Sequence, residues 1–111
     1  MEKCLVVGGS GYVGRELVRQ LAHRGDDVYV LARSHQPKSV PGTWLKGDIT
    51  KEETVRAALG SHRFGTIYHL ASLPGDTGDP LQMVTVNLLG LTNMLVYARD
   101  TSTERFVLAS S

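Results

Sequence analysis

Leu5-Val6-Val7-Gly8-Gly9-Ser10-Gly11-Tyr12-Val13-Gly14 is a short apolar strand that runs directly into a glycine-rich turn. Beyond it Val13, Leu17, Val18, Leu21 and Ala22 recur at the spacing of a helix with one buried face, and Gly25 stops the pattern. Strand, turn, helix is the first unit, and the rest of the chain repeats its logic. Val28 to Ala32 is a β-branched run, followed by a polar loop from Ser34 to Gly42 that contains prolines. Trp44 to Lys46 is a third strand. Thr50-Lys51-Glu52-Glu53 has the form of a capping box opening a helix to Leu59, which Gly60 ends. Thr66 to Leu70 is a fourth strand, Pro80 to Arg99 a long helix and Arg105 to Ala109 a fifth strand. Strands buried on both faces with helices between them imply an α/β fold, a doubly wound parallel sheet. Right-handed crossovers leave few topologies, and order 3-2-1-4-5 is the expected one.

The glycines carry the first functional signal. Gly9, Gly11 and Gly14 satisfy GxGxxG, while Gly8, Gly11 and Gly14 satisfy GxxGxxG. Such a turn needs unusual dihedrals, a backbone that a pyrophosphate can approach without meeting a Cβ, and a helix packed tightly on its strand. The helix N-terminus then offers N–H groups and a positive dipole end to the phosphates. The alternative is a tight strand-to-helix turn with no ligand; the strand before and the helix after favour a dinucleotide. No Gly-Lys-Ser/Thr follows, which argues against a P-loop nucleoside triphosphatase. Dinucleotide sites that grip the ribose 2′-hydroxyl place a carboxylate at the end of the second strand. Here that end reads Leu31-Ala32-Arg33-Ser34. Arg33 can meet a 2′-phosphate with planar, bidentate donors, so NADP is expected over the alternative, NAD; a merely solvated strand-end arginine is the other account.

Composition narrows the classes. The 111 residues are one domain by length, 41% hydrophobic and 21% charged, an ordinary globular balance. Twelve Lys and Arg against 11 Asp and Glu leave a net charge of +1, without the basic surface nucleic-acid binding needs. The lone cysteine, Cys4, allows neither an internal disulfide nor a cysteine-cluster metal site, and the four histidines lack ligand spacing. The N-terminal apolar run is too short for a signal peptide, and no uninterrupted apolar window of membrane-span length is expected. A cytoplasmic chain without membrane or nucleic-acid partners is the resulting expectation.

Several further segments join the glycine loop. Gly47-Asp48-Ile49 follows the third strand, Tyr68-His69-Leu70-Ala71-Ser72 closes the fourth, and Asn87-Leu88-Leu89-Gly90-Leu91-Thr92-Asn93 lies in the long helix. Phe106-Val107-Leu108-Ala109-Ser110-Ser111 forms the fifth strand and its end. Together these resemble the extended short-chain dehydrogenase/reductase family, the NAD(P)-dependent epimerases, dehydratases and reductases of nucleotide sugars and related substrates, and they span the whole chain. The resemblance implies a Rossmann-type domain over residues 1–111, with the dinucleotide held by Gly8, Ser10, Gly11, Tyr12, Val13 and Gly14. It places Asp48 and Ile49 at the adenine, and Leu70, Ala71, Ser72 and Asn87 beside the cofactor, which leaves Arg33, read above from its position, at the ribose. Ser111 would be the serine that orients the substrate oxygen. His69 is read as a core histidine; Asp48 has a bland alternative as a carboxylate flanking a helix, Asn87 as a packing residue and Ser111 as an ordinary strand end.

The departures bear on activity. Family catalysis needs a tyrosine acid/base with a lysine four residues later. Tyr12, Tyr29, Tyr68 and Tyr97 are followed at that spacing by Glu16, Arg33, Ser72 and Thr101. The chain is therefore expected to be the N-terminal, cofactor-binding portion of a longer enzyme and inactive alone, its sheet one strand short of six. A non-enzymatic NAD(P)-sensing regulatory domain is the rival class, and a fragment that folds but binds nothing is a third. The long helix carries Leu81, Met83, Val84, Val86, Leu88, Leu89, Leu91, Met94, Leu95, Val96 and Tyr97 around nearly its whole circumference, more than one sheet face can bury. The resemblance implies that the 80–99 helix packs in a bundle between two subunits of a homodimer; burial under further chain is the alternative.

Overall fold

The computed structural model describes residues 2–9, 11–70 and 79–109. Its strands are β1 (Lys3–Val7), β2 (Asp27–Ala32), β3 (Thr43–Lys46), β4 (Thr66–His69) and β5 (Arg105–Leu108), and its helices α1 (Tyr12–His23), α2 (Glu52–Leu59) and α3 (Pro80–Asp100). The strands form one sheet in the order β3-β2-β1-β4-β5, with every neighbouring pair parallel. This is the doubly wound topology that the pattern of elements predicts. Alternation along each strand feeds two cores. Cys4, Val6, Val28 and Val30 pack with Val18 and Leu21 of α1, while Leu5, Val7, Leu31 and Ile67 pack with Val55 and Leu59 of α2 and Met94 of α3.

Register aligns the strand ends. Val7 lies opposite Leu31 and His69, Leu31 opposite Leu45, and His69 opposite Leu108. The sheet grows from β1 to β2 and β3 on one side and to β4 and β5 on the other, so its topological switch point lies between β1 and β4. The segments after β1, β2, β3 and β4 all leave from this one edge, which is where doubly wound sheets bind ligands.

Two sequence expectations need correction. The capping box does not form: Lys51 is the N-cap of α2 and no side chain caps it. Thr50 lies one residue before the N-cap, and its hydroxyl is turned back to donate to the Asp48 carboxylate at 2.7 Å, a charge-assisted bond that holds it away from the helix N–H groups. The second concerns membrane length. α3 has 21 residues and a mean hydropathy of 1.3 over its most apolar window, long and apolar enough by length and composition to cross a membrane. Gln82, Thr85, Asn87, Thr92 and Asn93 interrupt its apolar run, but no charged residue does before Arg99. Gly90, Met94, Tyr97 and Ala98 are its buried residues, whereas Leu81, Val84, Leu88, Leu89 and Leu95 are exposed, Leu81 to 74%.

Candidate functional site

A cleft of about 240 Å³ opens at the C-terminal edge of the sheet. Its floor is Val7 and Leu31, its walls the turn after β1 and the segment after β3, and its remaining side Leu70 with Val86 and Asn87 of α3. The glycine turn is built by a division of labour. Gly8 has φ 93°, a left-handed conformation that favours glycine. A Cβ on Gly9 would lie 2.5 Å from Val30 Cγ1, and one on Gly14 would lie 2.8 Å from Gly9 Cα and closer still to Gly8 O. Those glycines let α1 seat against the strand. Gly11 is different. Its φ of −74° and ψ of 169° suit any residue, and a Cβ there would meet only Gly8 O, at 3.7 Å. It lines the cleft, so only the space in front of it gains from the missing side chain.

Gly11 is also the N-cap of α1, with no side-chain cap and no acidic residue in the first turn. The Arg15 N–H is the first to bond back, to Gly11 O at 2.9 Å. The helix therefore opens at a residue that lines the cleft, and its own first turn sets no acidic side chain against its positive dipole end. Tyr12 and Val13, expected at the cofactor, are 91% and 69% exposed and do not line the cleft. Gly14 is buried behind the turn.

The opposite wall is the short segment between β3 and α2. Gly47 N–H donates to Ala32 O at 3.0 Å, and a Cβ on Gly47 would lie 2.9 Å from Leu31 Cδ1. Asp48 Oδ1 accepts from both the N–H (2.9 Å) and the hydroxyl (2.7 Å) of Thr50, while Asp48 N–H donates to Thr54 Oγ1 at 2.8 Å. Partial burial pushes the Asp48 carboxyl up, but the two Thr50 hydrogen bonds, with the Arg33 and Lys51 charges, outweigh it and hold the group below the usual carboxylate range. Oδ2 has no partner among the described residues. Arg33 is exposed at the mouth. The wall thus offers a fixed carboxylate oxygen and a guanidinium side by side, because register sets Ala32 beside Lys46.

The asparagine-glycine-asparagine run of α3 has a legible geometry. Asn87 lines the cleft, a Cβ on Gly90 would lie 2.6 Å from Ile49 Cδ1, and Asn93 Nδ2 donates to Ile49 O at 2.7 Å. Three successive turns, along one i±3 ridge, therefore meet the cleft and its wall. His69 is a core residue, as the sequence leads one to expect: 3% exposed and stacked on Phe106 at 5.9 Å. Burial lowers its pKa, and its Nδ1 has no partner among the described residues.

Of the residues singled out in the sequence, Gly8, Gly11, Arg33, Asp48, Ile49, Leu70 and Asn87 come together in the cleft. Ser10, Ala71, Ser72 and Ser111 lie outside the described residues. Sequence reasoning missed Val7 and Leu31, which strand-end position alone would have flagged, and Thr50, whose place two residues after Asp48 is the signature of an Asx turn; Ala32 and Gly47, quoted only within their motifs, also line the cleft. It also missed Val86. Among the described residues no group of three or more His, Cys, Asp or Glu side chains could hold a metal ion.

Comparison with known proteins agrees with this fold. The chain is 29% identical to the UDP-glucose 4-epimerase of Erwinia amylovora, a match covering 96% of this chain and 36% of that protein. It is 31% identical to the Mus musculus sterol-4-alpha-carboxylate 3-dehydrogenase, decarboxylating, over 99% of this chain and 30% of that protein. Among solved structures, the Thermus thermophilus UDP-glucose 4-epimerase in complex with NAD superimposes with a TM-score of 0.87 at 32% identity, covering 98% of this chain and 37% of that one. The chain thus spans about a third of the length of these relatives. The model of the NAD dependent epimerase/dehydratase family matches residues 4–111. On that match and this fold, the chain belongs to the NAD dependent epimerase/dehydratase family, within the extended short-chain dehydrogenases/reductases.

Proposed function

We propose that this chain is the dinucleotide-binding portion of an extended short-chain dehydrogenase/reductase, and that it takes NADP(H) in preference to NAD(H). The observation that carries the reading is Gly11, a glycine that neither backbone conformation nor protein packing requires, at the N-cap of a helix and in the lining of an open cleft. A pyrophosphate explains both features at once. Gly8, Ser10, Gly11, Tyr12, Val13 and Gly14 hold it by backbone. Arg33 meets the 2′-phosphate, Asp48 and Ile49 take the adenine, and Leu70, Ala71, Ser72 and Asn87 border the nicotinamide side. The bound cofactor supplies hydride chemistry. The chain supplies orientation, a wall that excludes water, and Ser111 to direct the substrate oxygen in the intact enzyme. Its relatives' names make a nucleotide sugar or another hydroxyl- or carbonyl-bearing small molecule the substrate class. The exposed apolar face of α3 fits a subunit contact in a homodimer.

The NAD carried by the Thermus thermophilus relative favours the other dinucleotide, and titration decides between them. A charge-assisted hydrogen bond from Arg33 to a 2′-phosphate contributes about 1.5–3 kcal/mol, or roughly tenfold to a hundredfold in affinity. Calorimetry is expected to show that preference in the wild type, its loss in Arg33→Ala with NAD(H) unchanged, and a move toward NAD(H) in Ala32→Asp. Equal wild-type affinities, or an Arg33→Ala variant weakened equally toward both, would refute the NADP assignment; binding of neither would refute the dinucleotide site.

A further inference from the structure

The segment that walls the adenine side of the cleft belongs to no strand or helix, so its rigidity has to come from somewhere. Gly47 N–H is held by β2, and Asp48 N–H, Thr50 N–H and Lys51 N–H are bonded inside the segment or to the first turn of α2. The Ile49 carbonyl looks elsewhere. It lies in the bend between β3 and α2, where neither a sheet ladder nor a helix donor reaches it, and it accepts from the side-chain amide of Asn93 at 2.7 Å. One turn earlier, Gly90 lets α3 approach Ile49 so closely that a Cβ would lie 2.6 Å from its Cδ1. The two contacts clamp the backbone and the side chain of one residue. On either side of that residue stand Asp48, with its unpartnered Oδ2, and Thr50, which orients the Asp48 carboxylate.

We infer that Asn93 is a positioning residue for base recognition: by donating to Ile49 O it fixes the Asp48–Thr50 segment at the depth where the purine edge is read. It touches no part of the ligand, and it does not line the cleft. Its role is to keep the carboxylate and the Ile49 side chain at one distance from the base. Without the amide, Ile49 O is left without a donor in a half-buried bend, and the segment relaxes outward to find water. A hydrogen bond to the exocyclic amine of the base is sensitive to such a shift, because these bonds weaken steeply with distance and angle. The pyrophosphate at the glycine turn is not, because that turn hangs on β1 and α1.

The inference rests on the dinucleotide reading, and one experiment separates the two. Wild type, Asn93→Leu and Asn93→Ser are titrated with NADPH and with its hypoxanthine analogue, which replaces the amine by a carbonyl. Wild type is expected to prefer the adenine form by about tenfold, one good hydrogen bond. In both variants that ratio is expected to fall below about threefold, with the affinity for the hypoxanthine form nearly unchanged. A partly unfolded sample lowers both apparent affinities by the same factor and leaves the ratio intact, so loss of fold cannot imitate the result. Asn93→Ser, smaller and still polar, serves where Asn93→Leu folds poorly. A ratio kept at its wild-type value in the folded variants, or no base preference in wild type, overturns the role of Asn93 while leaving the dinucleotide site standing. Binding of neither nucleotide by wild type overturns both.

Discussion

Substituting Gly11 and Gly14 separately by alanine distinguishes a glycine kept for the ligand from one kept for the fold. At Gly14 the new Cβ would lie 2.8 Å from Gly9 Cα and nearer to Gly8 O. Both are backbone atoms, held by the sheet and unable to rotate away. Overpacking of this kind costs about 1–3 kcal/mol, and the upper end is expected where no side chain can yield. At about 4–8 °C per kcal/mol for a domain near this size, the melting midpoint should fall by at least 10 °C. At Gly11 the arithmetic is different. The conformation, φ −74° and ψ 169°, is one alanine adopts freely, and the Cβ meets nothing nearer than 3.7 Å. Stiffening the unfolded chain stabilises by about 0.4–1 kcal/mol, and alanine's poorer N-cap performance costs a similar amount, so the two nearly cancel. The midpoint should move by less than about 4 °C. Affinity should not survive so well: the methyl stands where a phosphate must approach the first N–H groups of α1. Loss of one charge-assisted hydrogen bond there weakens NADP(H) by roughly tenfold or more. Thermal denaturation and calorimetric titration of the two variants provide the assay. If Gly11→Ala melts as early as Gly14→Ala, the glycine is structural; if it keeps both stability and affinity, no phosphate approaches it. Either result would refute the reasoning.

Other expectations follow from the same geometry. Burial lowers the His69 pKa below its ordinary 6.5, so its contribution to stability is fully present above about pH 6.5 and is lost as pH falls through its lower native value. Denaturant midpoints should therefore drop between pH 7 and pH 5, and His69→Leu should flatten that slope; an unchanged slope would assign the effect elsewhere. Cys4 is 1% exposed and its thiol is pushed up to about 12, first by burial and then by Asp26 and Glu2. A thiol reagent at pH 8 should label it only at the rate at which the sheet opens, and fast labelling of the native chain would contradict that. With no Tyr-x-x-x-Lys pair, the 111-residue chain should show no hydride transfer to carbonyl substrates; turnover abolished by Ser111→Ala would count against this. Leu88→Glu, on the exposed face of α3, should reduce self-association in sedimentation without lowering the melting midpoint.

How much of this was legible in the sequence follows from what sequence patterns encode. Periods of 2 and 3.6 are local, so the strands, α1 and α3 could be placed from Val28–Ala32, from Val13 to Ala22 and from the Pro80 start. Right-handed crossovers then left the sheet order β3-β2-β1-β4-β5 as the expected solution. The glycine turn was visible too, since its spacing is also local. Only the tertiary structure divided its labour, because whether a missing Cβ faces Val30, as at Gly9, or an open cleft, as at Gly11, depends on atoms distant in sequence. The same holds for Thr50. Its neighbours in sequence spell a capping box, but the Asp48 carboxylate, turned back by the bend after β3, takes its hydroxyl. Arg33 and Asp48 become two parts of one wall through the pairing of Ala32 with Lys46. Asn93 finds Ile49, 44 positions away, through helix packing. Sequence by itself determined the elements and their order, because backbone periodicity and chain handedness act over a few residues. Which side chains share a site was decided by strand register and by the approach of α3, which are properties of the folded whole.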